Sequence, residues 1–89
     1  MILTKYTIAE RIRMQEEYKA KHSDSTIVLF RCDDFYKAYN DDAKRVSDAT
    51  GCSISYEGET KIAEFPRQGL DINLPRLIRK GYRIAIIDV

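Results

Sequence analysis

Apolar and polar positions along the chain alternate with two different periods. Ile8, Ile12, Gln15 and Tyr18 recur at helical spacing and share a face, with Arg11, Arg13, Glu16, Lys19 and Lys21 elsewhere. Thr7 and Glu10 form a T-x-x-E capping box, which satisfies backbone N–H groups that a helix start leaves orphaned, so this helix begins near Thr7 and ends at Ser23 and Asp24. The β-branched and apolar run from Ser25 to Phe30 then reads as a core strand. Cys32-Asp33-Asp34 is a tight polar turn, and Phe35 to Tyr39 is a short return strand that completes a hairpin.

The second half repeats these signals. Asn40 or Asp41 caps a second helix, with Asp42 favourable in its first turn, an inner stripe of Ala43, Val46 and Ala49, and Gly51 at its end. Cys52 to Tyr56 and Thr60 to Phe65 flank a turn at Glu57-Gly58-Glu59, a second hairpin that Pro66 stops. After Arg67-Gln68-Gly69, Asp71 or Asn73 caps a third helix with Pro75 in its first turn; Leu74, Leu77 and Ile78 face inward and Gly81 closes it. Tyr82 to Ile87 is almost continuously apolar, as expected for a central strand covered on both faces. The expected order is αββαββαβ: an α/β (α+β) fold with a mixed β-sheet flanked by three helices, in a single domain over residues 1–89.

Composition narrows the function classes. With 44% hydrophobic and 33% charged residues, and 4 Gly and 2 Pro in 89, the chain can pack a core but has no room for a nucleotide-driven motor beside it. A balance of 15 Lys+Arg against 14 Asp+Glu leaves +1, so charge-driven binding must come from where charges sit rather than from their sum. Cys32, Cys52 and His22 are too few and too scattered for a structural zinc site. The opening MILTKY has no long apolar segment, and no run approaches a membrane span, so a cytoplasmic protein without membrane contact is expected.

Catalytic signals are sparse. Asp33, Asp34, Asp41 and Asp42 could hold a metal ion for nuclease chemistry, but a turn and a helix start favour acidic residues for structural reasons alone. His22 lies in a solvated setting, and the four glycines are isolated rather than grouped into a phosphate-binding loop. A non-enzymatic protein without metal or cofactor is therefore expected. Between Pro66 and Arg83, Arg67, Arg76, Arg79, Lys80 and Arg83 face the single acid Asp71, a local basic stretch. Strand alternation puts one of Phe35 and Tyr36 inward and the other outward. An outward ring near Arg31 and Lys37 could stack on a base or wedge a base step.

Three segments in register carry a family resemblance. Phe30-Arg31-Cys32-Asp33-Asp34-Phe35-Tyr36-Lys37-Ala38-Tyr39, followed by Asp41-Asp42-Ala43-Lys44, resembles the F-R-x-G-D-F-Y-E-x-F and D-A-K of the N-terminal mismatch-recognition domain of the MutS family. Met14 to Lys21 resembles that domain's opening M-x-Q-Y-x-x-x-K, and Leu74 to Ile86 its closing Y-L-x-x-L-I-x-x-G-Y-x-V-A-I. The resemblance implies that Phe35 occupies the position whose ring enters the minor groove and stacks on a mispaired base. It also places Lys37 where the family has a base-binding glutamate, and Asp33 where it has a glycine. An ammonium only donates, so Lys37 is suited to a phosphate or a base acceptor rather than to the glutamate's role. The segment Ala63 to Gly69 departs from the family's P-M-A-G-x-P-x-H, and clamp and ATPase domains do not fit in 89 residues.

The expectation is a stand-alone, ATP-independent module resembling this domain, which contacts duplex DNA, mispaired or distorted, through Phe35, Lys37, Arg67 and Arg31, although Arg31 could equally point away. Alone it binds weakly, with a dissociation constant on the order of 10⁻⁴–10⁻⁶ M, and a larger DNA-processing protein or an oligomer would raise its avidity. The alternative is a protein-interaction module that kept the fold and lost DNA binding.

Overall fold

The computed structural model describes residues 6–89; the reading of the opening segment rests partly on Met1 to Lys5 and to that extent lies outside the described residues. The elements are α1 (Ile8–Lys21), β1 (Thr26–Cys32), β2 (Phe35–Tyr39), α2 (Asp41–Thr50), β3 (Ile54–Glu57), β4 (Thr60–Pro66), a 3-10 turn (Arg67–Gly69), α3 (Leu70–Arg79) and β5 (Arg83–Asp88). This is the αββαββαβ order with three helices and a mixed sheet read from the sequence. The capping box forms in full: Thr7 Oγ1 accepts from Glu10 N–H at 3.1 Å, and Glu10 Oε1 accepts from Thr7 N–H at 2.8 Å.

The sheet runs β3-β4-β2-β1-β5, antiparallel except where β5 lies parallel to β1. Strand alternation divides the core between its two faces. On one face Val28, Phe30, Cys32, Tyr39 and Ile62 meet Ile8, Ile12, Met14 and Tyr18 of α1. On the other, Ile27, Leu29, Tyr36, Ala38, Ala63 and Phe65 meet Ala43 and Val46 of α2 and Leu77 of α3. The fold is thus three layers, with α1 on one side and α2 and α3 on the other.

Several expectations are corrected. The strand covered on both faces is β1, whereas β5 is an edge strand whose residues are partly buried or exposed and none fully buried. Its apolar run reflects two half-covered faces: Ile84 packs toward α3 and Ile87 toward α1. Cys32 belongs to β1, so the hairpin turn shrinks to Asp33-Asp34. α3 starts at Leu70 without a side-chain cap, which puts Asp71 inside its first turn and Pro75 in its interior. Ile78 is 56% exposed, because α3 turns Leu77 rather than its neighbour to the sheet. Arg11 and Lys19, placed off the apolar face of α1 by their spacing, nevertheless reach inward, to Tyr39 and to Asp42.

Asp42 is fully buried in the first turn of α2. Its carboxylate accepts from Val28 N–H at 3.0 Å, from Lys19 Nζ, and from Arg45 at 3.4 Å. Burial pushes its carboxyl up from the ordinary aspartate range, while Lys19, the Val28 N–H and Arg45 pull it back. Removing the carboxylate leaves Lys19 and the Val28 N–H unpaired, so Asp42→Ala is expected to lower stability by about 3 kcal/mol in denaturant titration. Lys44→Ala, which breaks only the exposed Lys44–Asp48 pair, should change it by less than about 0.5 kcal/mol. Because the folded carboxyl holds its proton more tightly than an unfolded aspartate, its contribution is fullest at acid pH and declines as pH rises through the raised value. That slope should vanish in Asp42→Asn.

Candidate nucleic-acid interface

β1 and β2 are joined by the two residues Asp33-Asp34, with Cys32 opposite Phe35. Asp33 has φ 52°, while Asp34 is not among the positive-φ residues. Positive φ favours glycine, and aspartate is among the few other residues whose short polar side chain tolerates it. The turn therefore forms without glycine and carries two exposed carboxyl-bearing residues at its tip.

Phe35 opens β2 just past this turn and is 40% exposed. Tyr36 is 5% exposed and packs on Phe65 with ring centroids 5.6 Å apart. The alternation is thereby resolved, with Phe35 outward and Tyr36 inward. Lys37 shares the Phe35 face and sits directly opposite Glu64 of β4, Nζ to Oε2 3.8 Å. Pro66 lies opposite Phe35, and the next residue, Arg67, is fastened to the turn. Its N–H donates to the Asp34 carbonyl at 2.8 Å and its guanidinium to the Asp33 carbonyl at 3.4 Å.

Phe35, Lys37 and Arg67 are thus brought together at one end of the sheet. Arg31 is not among them. It pairs with Tyr36, on the opposite face, and its guanidinium is ion-paired with Asp88 of β5. The basic stretch divides in the same way: only Arg67 reaches the hairpin, while Arg76 on α3, across the sheet, donates to the Thr50 carbonyl at 3.2 Å. Two residues of this end were not singled out from the sequence. Glu64 faces Lys37 only because of the β2–β4 register, which no local pattern reveals. Arg11 reaches from α1 to the Tyr39 hydroxyl at 2.7 Å and the Cys32 thiol at 3.2 Å. Burial pushes that thiol up, with Arg11 and then Lys37 drawing it back.

Among the described residues no group of three or more His, Cys, Asp or Glu could hold a metal ion. Nor is any helix among them long and apolar enough to cross a membrane. A cavity of about 390 Å³ opens between α1 and α2 at the other end of β2, lined by Gln15, Lys19, Asn40 and Arg45 among others, two of which are the partners of Asp42.

A family model described as MutS domain I matches residues 12–89. The chain belongs to that family. Curated relatives named DNA mismatch repair protein MutS are similar to it: 46% identical over 77 residues in Phocaeicola vulgatus, and 43% over 77 in Bacteroides thetaiotaomicron, each covering 81% of this chain. In Salinibacter ruber a protein of the same name is 40% identical over 81 residues, 84% of this chain. The chain spans about 9% of the length of these relatives. Within this MutS domain I, the three resembling segments fall on α1, on the β1–β2 hairpin with the start of α2, and on α3 with β5.

Exposure separates the two hairpin rings energetically. Tyr36→Ala, which empties a packed site beside Phe65, should cost about 3 kcal/mol in chemical denaturation, against about 1 kcal/mol for Phe35→Ala.

Proposed function

We propose that this MutS domain I is a non-enzymatic, ATP-independent DNA-binding module of mismatch repair, and that it contacts mispaired or distorted duplex through Phe35. The observation that supports this most is a phenylalanine left 40% exposed beside a two-residue hairpin turn, with Lys37 and Arg67 on hand. A core would have covered the ring. A minor groove gives it a base step to enter, and a mispaired step unstacks with less loss of free energy than a paired one.

The charges around the ring temper its affinity. Lys37 and Arg67 share this end with Asp33, Asp34 and Glu64, so few phosphates are neutralised and the salt-dependent part of binding is small. The module works in the cytoplasm as part of a larger DNA-processing assembly that supplies the remaining contacts.

Titration of fluorescent duplexes with and without a single mispair, at low and moderate salt, tests this. The expected dissociation constants are on the order of 10⁻⁴–10⁻⁶ M, tighter for the mispaired duplex. Phe35→Ala should abolish the difference between duplexes. Arg67→Ala should weaken both alike and reduce the salt slope by about 1. Asp33→Asn, which keeps a residue tolerant of positive φ and removes a charge, should tighten both. Absence of binding to either duplex below millimolar protein, or an unchanged Phe35→Ala variant, would sink the reading. A competing reading, a protein-interaction module, draws on Ile72 and Ile78, 61% and 56% exposed on α3. Flat DNA titrations together with a salt-insensitive protein partner would favour it.

A further inference from the structure

We infer that Glu64 is a specificity-determining residue of this site: its carboxylate accepts hydrogen bonds from the base displaced against Phe35, and the Lys37–Glu64 pair matches the edge of an unpaired guanine. The assignment rests on the DNA-binding reading above and adds which base that site reads.

The geometry starts from the register. Phe35 faces Pro66 and Lys37 faces Glu64, with both pairs on the same face of the sheet. Residues two apart on a strand are separated by roughly 7 Å, about the span from the middle of a base stacked on the ring to groups that meet its edge. The pair is loose, at 3.8 Å, and its side chains are 31% and 40% exposed. That separation exceeds hydrogen-bond length, so ammonium protons and carboxylate lone pairs remain open to solvent or to a ligand. Asp42, by contrast, is fully committed to Lys19, Arg45 and Val28. Lys37 also offsets the negative charge that would otherwise repel the nearby phosphates.

The chemistry selects the base. Lys37 can only donate, and ionised Glu64 can only accept, through two oxygens. The Watson–Crick edge of guanine presents one acceptor, O6, followed by two adjacent donors, N1–H and N2–H. Lys37 meets the first and both Glu64 oxygens meet the other two. Thymine offers one donor between two acceptors, and adenine and cytosine offer an amino donor beside a ring nitrogen acceptor. Each of these leaves one carboxylate oxygen facing a lone pair or nothing. In a paired guanine the same edge is occupied by cytosine, so this readout acts only on a base already out of its pair.

The test uses five fluorescent duplexes with identical flanks: one fully paired and four carrying a single extrahelical G, T, A or C. The wild-type chain should bind the guanine bulge about tenfold more tightly than the other bulges, the scale of one bidentate base contact. Glu64→Gln, at an exposed position where the melting temperature should not change, should bring the four bulges within about twofold while binding to paired duplex holds or tightens. Binding that depends on Phe35 but ranks the four bulges equally, or a guanine preference that survives in Glu64→Gln, overturns the assignment and leaves the DNA reading standing. Failure of the wild-type chain to bind any of the five overturns both.

Discussion

The buried carboxylate of Asp42 is the interaction on which the arrangement of layers depends. In the β1–β2 ladder the last pair is Phe30 with Lys37; two residues further on, Val28 would meet Tyr39. That pair does not form. The Val28 N–H goes instead to Asp42, and the Tyr39 carbonyl accepts from Gln15 Nε2 at 3.3 Å. Side chains from α2 and α1 therefore complete the backbone where the strands part, which satisfies groups that would be costly to bury unpaired. Lys19 then links α1 to the same carboxylate from the far layer. A charge whose own burial is unfavourable thus ties α1, β1 and α2 together, because moving any of the three away leaves it buried without a partner.

The two ends of the β1–β2 hairpin consequently differ in kind. At the Asp42 end, backbone and charged groups are enclosed and mutually committed. At the Asp33-Asp34 end the ladder closes in two residues, both turn residues are exposed, and Phe35 beside them stays 40% exposed. Tyr36 and Phe65 beneath the turn anchor the tip from the opposite face. Arg11 braces it from the other by bridging Cys32 and Tyr39. An exposed ring on a braced tip is presented in a defined direction, which a ring on a long loop would not be.

What could be read from the sequence was local. The capping box, the two hairpins and the alternation that sends one of Phe35 and Tyr36 outward depend on residues within a few positions of each other, and they formed. The place of β5 did not follow, because an uninterrupted apolar run arises equally from full burial and from two half-covered faces. Arg31 fell on the far face for a related reason: the register that pairs it with Tyr36 sets its direction, and the strand pattern alone left both directions open. The ties made by Lys19, Arg11 and Glu64 were invisible, since their partners Asp42, Tyr39 and Lys37 are remote in sequence and adjacent only after folding.

The near-balance of charge around Phe35 bears on how such a site discriminates on the proposed reading. A strongly cationic surface gains most of its affinity from phosphates, which are the same in paired and mispaired duplex, so tighter binding there brings no selectivity. Here Asp33, Asp34 and Glu64 hold that common contribution down. What remains is the insertion of an apolar ring, whose free energy depends on how readily the step unstacks. Salt screens the phosphate contribution and leaves the insertion largely untouched, so the preference for a mispair should persist as ionic strength rises and total affinity falls. On that proposal, a weak module would suit an assembly in which other contacts supply residence on DNA and this one reports where the duplex gives way.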